Sequence, residues 1–274
     1  MKTNKYRQIK NLTLEPGKKA YFASDVHLGL YPYEQSSIRE KVFVNWLNEI
    51  KKDVGVLFLV GDIFDYWYEY KKVAPRGFIR FLGKLCEITD SGVPVYFFTG
   101  NHDVWVFDYL PSETGVIVCK NPIEICINNK KFFIGHGDGV GPGDTSYKLL
   151  RKIFHSKFLQ LLFSRLHPNF TFALGQNWSK HSRYSKGLVE PYLGVEKEYN
   201  ILFAKDYVKN NDIDYFIFGH RHIPMVINIS NYAKLINLGE WIVAYTFGVF
   251  DGSEMHLKSY RKPEGWNDKN IIRG

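Results

Sequence analysis

Apolar and polar positions along this chain alternate between two periods. Runs of β-branched and aromatic residues (AYFAS near 20–24, VLFLV at 56–60, PVYFFT at 94–99, KFFI at 131–134, DYFIF at 214–218) read as strands. Between them lie stretches of helical period. Residues 36–51 put Ile38, Val42, Trp46, Leu47 and Ile50 on one face. A second helix is predicted near 76–89, a short one after Asn101 and another near 196–210. Residues 116–134 read as strands, with Asn128-Asn129 a hairpin turn. Residues 225–260 read as consecutive antiparallel strands. The layout predicts an α/β (α+β) fold in which helices flank two packed mixed β-sheets.

Five of these runs end in a short polar fragment. They are Asp25-Val26-His27, Gly61-Asp62, Gly100-Asn101-His102-Asp103, Gly135-His136-Gly137-Asp138 and Gly219-His220-Arg221-His222. Strand ends are where α/β sheets build their sites. Taken singly, each fragment is an ordinary turn or cap. Together and in this order they read as one dinuclear metal site. Its Asp, Asn and His donors suit Mn, Fe, Zn or Mg.

One segment interrupts the pattern. In residues 144–187, Leu149, Leu150, Ile153, Phe154, Phe158, Leu161, Leu162 and Leu166 recur at helical spacing. Pro168 ends or kinks that helix, and Phe170, Phe172, Leu174 and Trp178 suggest a second helix or a compact hairpin. The segment reads as a helical cap inserted into a core made of residues 1–143 and 188–274. It also holds the excess charge. From Thr145 to Gly187 there are eight Lys or Arg and no Asp or Glu. Setting those eight aside from 36 basic residues leaves 28, equal to the 28 acidic ones. Two readings of the cap stand: an amphipathic helix packed on the core, or a surface that meets lipid and an anionic membrane. The aromatic loop Tyr66, Trp67, Tyr68 and Tyr70 either lines a pocket or packs beneath the cap.

A length of 274 residues suffices for one domain with an insertion. Hydrophobic content of 45% and charged content of 23% exclude a disordered chain. Cys86, Cys119 and Cys126 show no metal spacing and read as buried free thiols in a reducing compartment. Residues 1–19 lack the apolar core of a signal peptide, and no run reaches the roughly 18 apolar residues of a membrane span. A cytoplasmic protein, peripheral on the inner face of the cytoplasmic membrane, is expected.

The ordered motifs are similar to those of the calcineurin-like metallophosphoesterase superfamily, over roughly 18–139 and 195–260. The resemblance implies that Asp25, His27, Asp62 and His222 hold one divalent ion. Asp62, Asn101, His136 and His220 would hold a second, manganese being favoured at both. Asp62 then bridges cations about 3.5–4 Å apart, and no ligand position is missing. Water between two dications loses a proton near neutral pH and attacks phosphorus in line, while the metals neutralise charge on the phosphoryl oxygens. His102 is free to protonate the leaving oxygen or to stabilise the transition state. In related phosphatases an Asp three residues after the bridging Asp orients this His, and Asp65 matches it. The plainer alternative is that Asp65 and Asp103 cap turns.

The cap resembles that of the UDP-2,3-diacylglucosamine pyrophosphatases of lipid A biosynthesis, which release UMP and an acylated sugar 1-phosphate. Asp144-x-x-Tyr147 opens the cap, and Ser179, Arg183 and Lys186 close it. The resemblance implies that Asp144 and Tyr147 bind the sugar and that Arg183 and Lys186 bind phosphate. Ser179 belongs to the same substrate-binding set, and apolar faces would take two acyl chains. Two departures stand out: His102 where many members have Arg, and the GVGPGD spacing before the cap. Another metallophosphoesterase (a phosphodiesterase, phosphatase or nuclease) with a different amphipathic or nucleotide substrate competes with this reading. Cap cations interleaved with Leu and Phe suit acyl chains and headgroups better than nucleic acid. The full set of seven ligands argues against a non-enzymatic scaffold.

Overall fold

A computed structural model describes residues 6–8, 11–141, 152–154, 156–186, 191–261 and 270–274, with the backbone alone described at 7–8 and 179–186. One sheet has six strands in the order β12-β11-β2-β3-β4-β5. Its centre is β2 (Lys19–Ala23), β3 (Val54–Val60) and β4 (Val95–Phe98), all parallel, flanked by β5 (Ile117–Cys119), β11 (Thr246–Phe250) and β12 (Met255–Ser259). The other has seven strands in the order β1-β6-β7-β8-β10-β9-β13. It comprises β1 (Arg7–Gln8), β6 (Ile123–Ile127), β7 (Lys130–Ile134), β8 (Tyr215–Phe218), β9 (Pro224–Asn228), β10 (Lys234–Leu238) and β13 (Ile272–Arg273). β7, β8 and β10 run parallel.

Alternation along each strand builds the layers. Phe22, Phe58 and Phe98 from the six-stranded sheet meet Phe132, Ile217 and Ile236 from the other in the central core. The rings of Phe22 and Phe132 stack across it at 5.9 Å. Each such fully buried side chain contributes about 1.5–3 kcal/mol. The alternate residues Tyr21, Leu57, Leu59 and Phe97 face helices Tyr33–Ile50 and Ile79–Asp90. Phe133, Phe216 and Leu235 face helix Tyr199–Tyr207. The result is helix, sheet, sheet, helix. The strand ends that carry the polar fragments come from both sheets.

Several expectations need correction. Residues 225–260 are not one antiparallel run. β9 pairs with β10 in one sheet and β11 with β12 in the other. Between them, Gly239 adopts φ 75° and the buried Glu240 carboxylate accepts the N–H groups of Ile242, Val243 and Ala244, turning the chain from sheet to sheet. Ile38 is 58% exposed, because the first helix buries Ser36, Arg39, Val42, Phe43, Trp46, Leu47 and Ile50 instead. Of the cysteines, Cys119 is buried whereas Cys86 and Cys126 are half-buried. The expected break at Pro168 is present: one helix ends at Phe163, and Pro168 opens helix Pro168–Lys186 at its first position, where its missing N–H costs nothing. The Asn128-Asn129 turn is present, both residues having positive φ.

Helices Lys157–Phe163 and Pro168–Lys186 lie in the cap segment. The aromatic loop after Asp62 packs beneath them. Tyr68 Oη donates to the Gln160 carbonyl at 3.1 Å, and Tyr70 Oη contacts Thr171 Oγ1. Tyr66 meets Phe172 edge-on at 5.3 Å. Trp105, just past His102, donates to the Phe154 carbonyl at 3.0 Å and stacks on Phe163. Trp67 turns the other way, stacking on Phe64 in the core. Among the described residues no helix is long and apolar enough to cross a membrane.

Candidate active site

The polar fragments converge where the C-terminal ends of β2, β3 and β4 meet those of β7 and β8. Asp25, His27, Asp62, His136, His220 and His222 come together there in two groups. Donor atoms of Asp25, His27 and His222 lie within 4.8 Å of one another, as do those of Asp62, His136 and His220. Asn101 joins the second group, its Oδ1 standing 2.9 Å from His220 Nδ1.

The backbone is strained at these positions. Nine non-glycine residues among those described have positive φ, and five are Asp25, His27, Asp62, His220 and His222. Such strain gathers where the surrounding fold over-determines a functional geometry. The glycines before the fragments have a different cause. A Cβ on Gly100 would stand 2.1 Å from Asp62 Oδ1, and one on Gly219 would stand 1.9 Å from Ser24 Oγ. Only a bare backbone lets the strand ends approach this closely.

Hydrogen bonds fix each donor. Asp25 Oδ2 accepts from Ser24 Oγ at 2.6 Å and from the His220 N–H at 2.9 Å. Asp62 Oδ1 accepts the His102 N–H at 2.9 Å. His136 Nδ1 is 2.9 Å from the Val60 carbonyl, which makes Nδ1 the donor and turns the Nε2 lone pair inward. His27 Nδ1 lies 3.2 Å from Asp65 Oδ1, which orients Nε2 toward the centre.

What remains points inward. Asp25 Oδ1 and His136 Nε2 are buried without a hydrogen bond. His222 Nε2 stands 3.1 Å from the first and Asp62 Oδ2 stands 3.2 Å from the second. His27 Nε2 and His222 Nε2 face each other at 3.1 Å. Asp and His donor atoms crowded this closely, on buried residues, fit divalent cations. The electrostatics agree. Burial would push the Asp62 carboxyl up, but the neighbouring His136 and His102 hold it well below the usual carboxylate range. Burial likewise works against a charge on His136, yet Asp62 and Asp25 raise its ring well above the usual imidazole range. The buried carboxylates favour positive charge at this point.

His102 and Asp65 sit beside this centre. His102 Nδ1 contacts the Asp65 backbone carbonyl at 2.8 Å, whereas the Asp65 carboxylate is 4.0 Å from it and closer to His27. Asp144 and Tyr147 lie outside the described residues. Ser179, Arg183 and Lys186 lie on helix Pro168–Lys186.

Supporting residues surround the centre, and of them the sequence pointed only to Asp103, as a turn cap. Asp103 is fully buried, and its carboxylate accepts from the N–H groups of Gly100, Ile63 and Phe64, tying the loops after β3 and β4 together. Glu69 does the same farther along, accepting from the Trp67 indole and the N–H groups of Phe107, Asp108, Tyr109 and Leu110. Arg39 donates to the His27 carbonyl at 2.9 Å. Arg221 forms a two-pronged bond with buried Glu198, bracing the loop that carries His220 and His222. Arg39 is a charge on the buried face of its helix, a position the apolar spacing gave to Ile38.

A cleft of about 1130 Å³ runs outward from Asp65 and Tyr66. Phe78, Tyr109 and Phe172 supply apolar wall, and Ser36, Arg76 and Gln176 supply polar groups.

The profile described as calcineurin-like phosphoesterase matches residues 18–224. The chain belongs to that family and is a metal-dependent hydrolase. It is 35% identical over 259 residues to the UDP-2,3-diacylglucosamine hydrolase of Porphyromonas gingivalis, covering 90% of this chain and 99% of that one. The UDP-2,3-diacylglucosamine hydrolase of Hamiltonella defensa is 30% identical over 211 residues, 76% of this chain and 79% of its own. Among solved structures, the E. coli phosphoesterase Yfce has a TM-score of 0.44 and 14% identity, with 88% of this chain and 92% of that chain covered.

Proposed function

We propose that this enzyme hydrolyses the pyrophosphate bond of UDP-2,3-diacylglucosamine, giving UMP and 2,3-diacylglucosamine 1-phosphate. The observation that carries the reading is the cleft, which reaches Asp65 beside the metal-ligand cluster and is walled by Phe78, Tyr109 and Phe172 together with Ser36, Arg76 and Gln176. Such a shape suits a substrate with phosphates at its head and acyl chains behind. The names of the relatives in Porphyromonas gingivalis and Hamiltonella defensa support the same substrate.

In this reading Asp25, His27, Asp62 and His222 hold one divalent ion, and Asp62, Asn101, His136 and His220 hold the other. Manganese is favoured, with Fe, Zn and Mg suited to the same donors. Once bound, the ions supply an ionised water nucleophile and neutralise charge on the phosphoryl oxygens. The protein's part is to position. Asp65 turns His27 inward, Val60 fixes the tautomer of His136, and Asp103 sets the spacing of the loops bearing Asp62 and Asn101. His102, held through Nδ1, presents Nε2 to a leaving oxygen as a proton donor. Asp144 and Tyr147 bind the sugar, and Ser179, Arg183 and Lys186 bind phosphate. The enzyme works as a cytoplasmic peripheral protein on the inner face of the cytoplasmic membrane, with a nucleotide-lipid rather than nucleic acid as its partner.

The test is product analysis. Metal-stripped enzyme is incubated with UDP-2,3-diacylglucosamine, with and without Mn²⁺. Mn²⁺-dependent release of UMP and the acylated sugar phosphate is expected. Cleavage of a chromogenic phosphodiester with none of the lipid substrate would sink the substrate assignment and keep the metal chemistry.

A further inference from the structure

The mouth of the cleft lies partly on the core and not only under the cap. We propose that this core lip, residues 71–80 with Tyr31 and Tyr33, is a docking surface for an anionic lipid bilayer. The inference rests on the reading of the cleft as a lipid site.

Exposure is the first argument. Ile79 is 79% exposed, Tyr31 59%, Tyr33 52% and Val73 49%. Tyr33, Val73 and Ile79 also line the cleft, so they form one rim. The exposure of Ile79 follows from helical register: its helix buries Phe81, Leu85 and Ile88, a stripe that leaves Ile79 outside. Phe78, two residues past Arg76, instead turns inward onto Phe64 at 5.0 Å. Single exposed apolar residues are ordinary, but a cluster around a cavity mouth marks a contact surface.

Charge is the second argument, and it selects the partner. From Lys71 to Cys86 there are five Lys or Arg and no Asp or Glu. Lys71, Lys72, Arg76 and Arg80 are exposed and make no ion pair among the described residues. The nearby carboxylate of Glu40 is buried and occupied, accepting the N–H groups of Arg80 and Phe81. Bulky apolar side chains interleaved with unpaired cations match the acyl boundary and anionic headgroups of a bilayer. A lipid leaving such a surface would meet the cleft directly.

The experiment is vesicle sedimentation of the Mn²⁺-loaded enzyme. Phosphatidylglycerol-containing vesicles are compared with pure phosphatidylcholine. The variants are Lys71→Glu/Lys72→Glu/Arg80→Glu and Tyr31→Ser, none of which lines the cleft. Wild type is expected to pellet with the anionic vesicles alone. Each cation near such a surface contributes roughly a fivefold factor, so the triple variant partitions at least about a hundredfold more weakly. Tyr31→Ser partitions more weakly as well. Both variants hydrolyse a soluble chromogenic phosphodiester like wild type, which shows that they fold. A triple variant that pellets like wild type overturns the proposal. So does wild-type protein that stays in the supernatant, that binds both vesicle types equally, or that shifts a DNA duplex instead. Charge-sensitive pelleting without cleavage of UDP-2,3-diacylglucosamine would leave the docking surface standing and remove the substrate reading. Cleavage with charge-insensitive pelleting would do the reverse.

Discussion

Adding one methyl group at Gly100 should disable the metal centre while leaving the fold intact. In Gly100→Ala the new Cβ would lie 2.1 Å from Asp62 Oδ1, 2.6 Å from Asp62 N and 2.8 Å from Asp62 Cγ, where ordinary contact begins at 3.4 Å. The shortfall at Oδ1 is therefore about 1.3 Å. A rotamer change cannot absorb it, because the backbone nitrogen of Asp62 is also too close. Asp62 must move by an ångström or so, and it is the carboxylate assigned to both ions. A misplacement of that size costs about 100-fold in rate, or about 2.7 kcal/mol of barrier. Overpacking removes about 1–3 kcal/mol of stability, which a domain of this size tolerates. The same substitution at Gly83 is the control. Nothing lies within 4 Å of a Cβ there, and the residue sits inside helix Ile79–Asp90. Gly83→Ala should stabilise the protein by about 0.5–1 kcal/mol and leave the rate alone. The assay is kcat/KM on a chromogenic phosphodiester across a Mn²⁺ titration, alongside denaturation midpoints for both variants. A Gly100→Ala enzyme with wild-type rate and wild-type Mn²⁺ affinity would refute the argument. Loss of activity matched by loss of the folded state would refute it too.

Four further outcomes follow from the same geometry. Stripping metal with a chelator should lower the melting temperature, since a hundredfold excess of a bound ion over its Kd contributes about 2.7 kcal/mol, roughly 5–10 °C here; scanning calorimetry with and without Mn²⁺ checks it. Asp65→Ala should weaken Mn²⁺ binding about 10–100-fold through the loss of His27 orientation, with rate restored by excess Mn²⁺, whereas His102→Ala should lower kcat about 10²–10⁴-fold at unchanged Mn²⁺ affinity. Glu198→Ala should destabilise the protein by about 3–5 kcal/mol by leaving Arg221 without its buried partner, seen as a lower urea midpoint.

The strand-end fragments were legible because each couples a strong pattern to a rare one. A β-branched run followed by Gly and then Asp, Asn or His marks both a place in the sheet and a donor. Sequence alone did not reveal why the glycines are there, since the neighbours of Gly100 and Gly219 come from other strands. Two sheets were anticipated, but the crossing at 239–245 was not, because the Glu240 cap that bends the chain looks like any surface acid. Ile38 misled for a related reason. Its spacing fits the apolar stripe, and Val42, Trp46, Leu47 and Ile50 are buried on it, but in the first turns Ser36 and Arg39 take the buried face and Arg39 donates to the carbonyl of His27. Asp65 stands where expected, but backbone placement turns its carboxylate to His27 and its carbonyl to His102. The aromatic loop gave no choice between pocket and cap, because Tyr66 serves both, lining the cleft and packing on Phe172.

The convergence of donors from both sheets makes the metal centre a rivet through the sandwich. Asp25, Asp62 and Asn101 follow strands of one sheet, and His136, His220 and His222 follow strands of the other. Sliding one sheet over the other by less than an ångström would leave each layer internally sound and still pull the donors out of register. Damage to the shared aromatic layer, such as truncating Phe132 far from any phosphate, would therefore register first as loosened metal and only afterwards as unfolding. The centre reports on the alignment of the whole β sandwich, and metal affinity serves as its gauge.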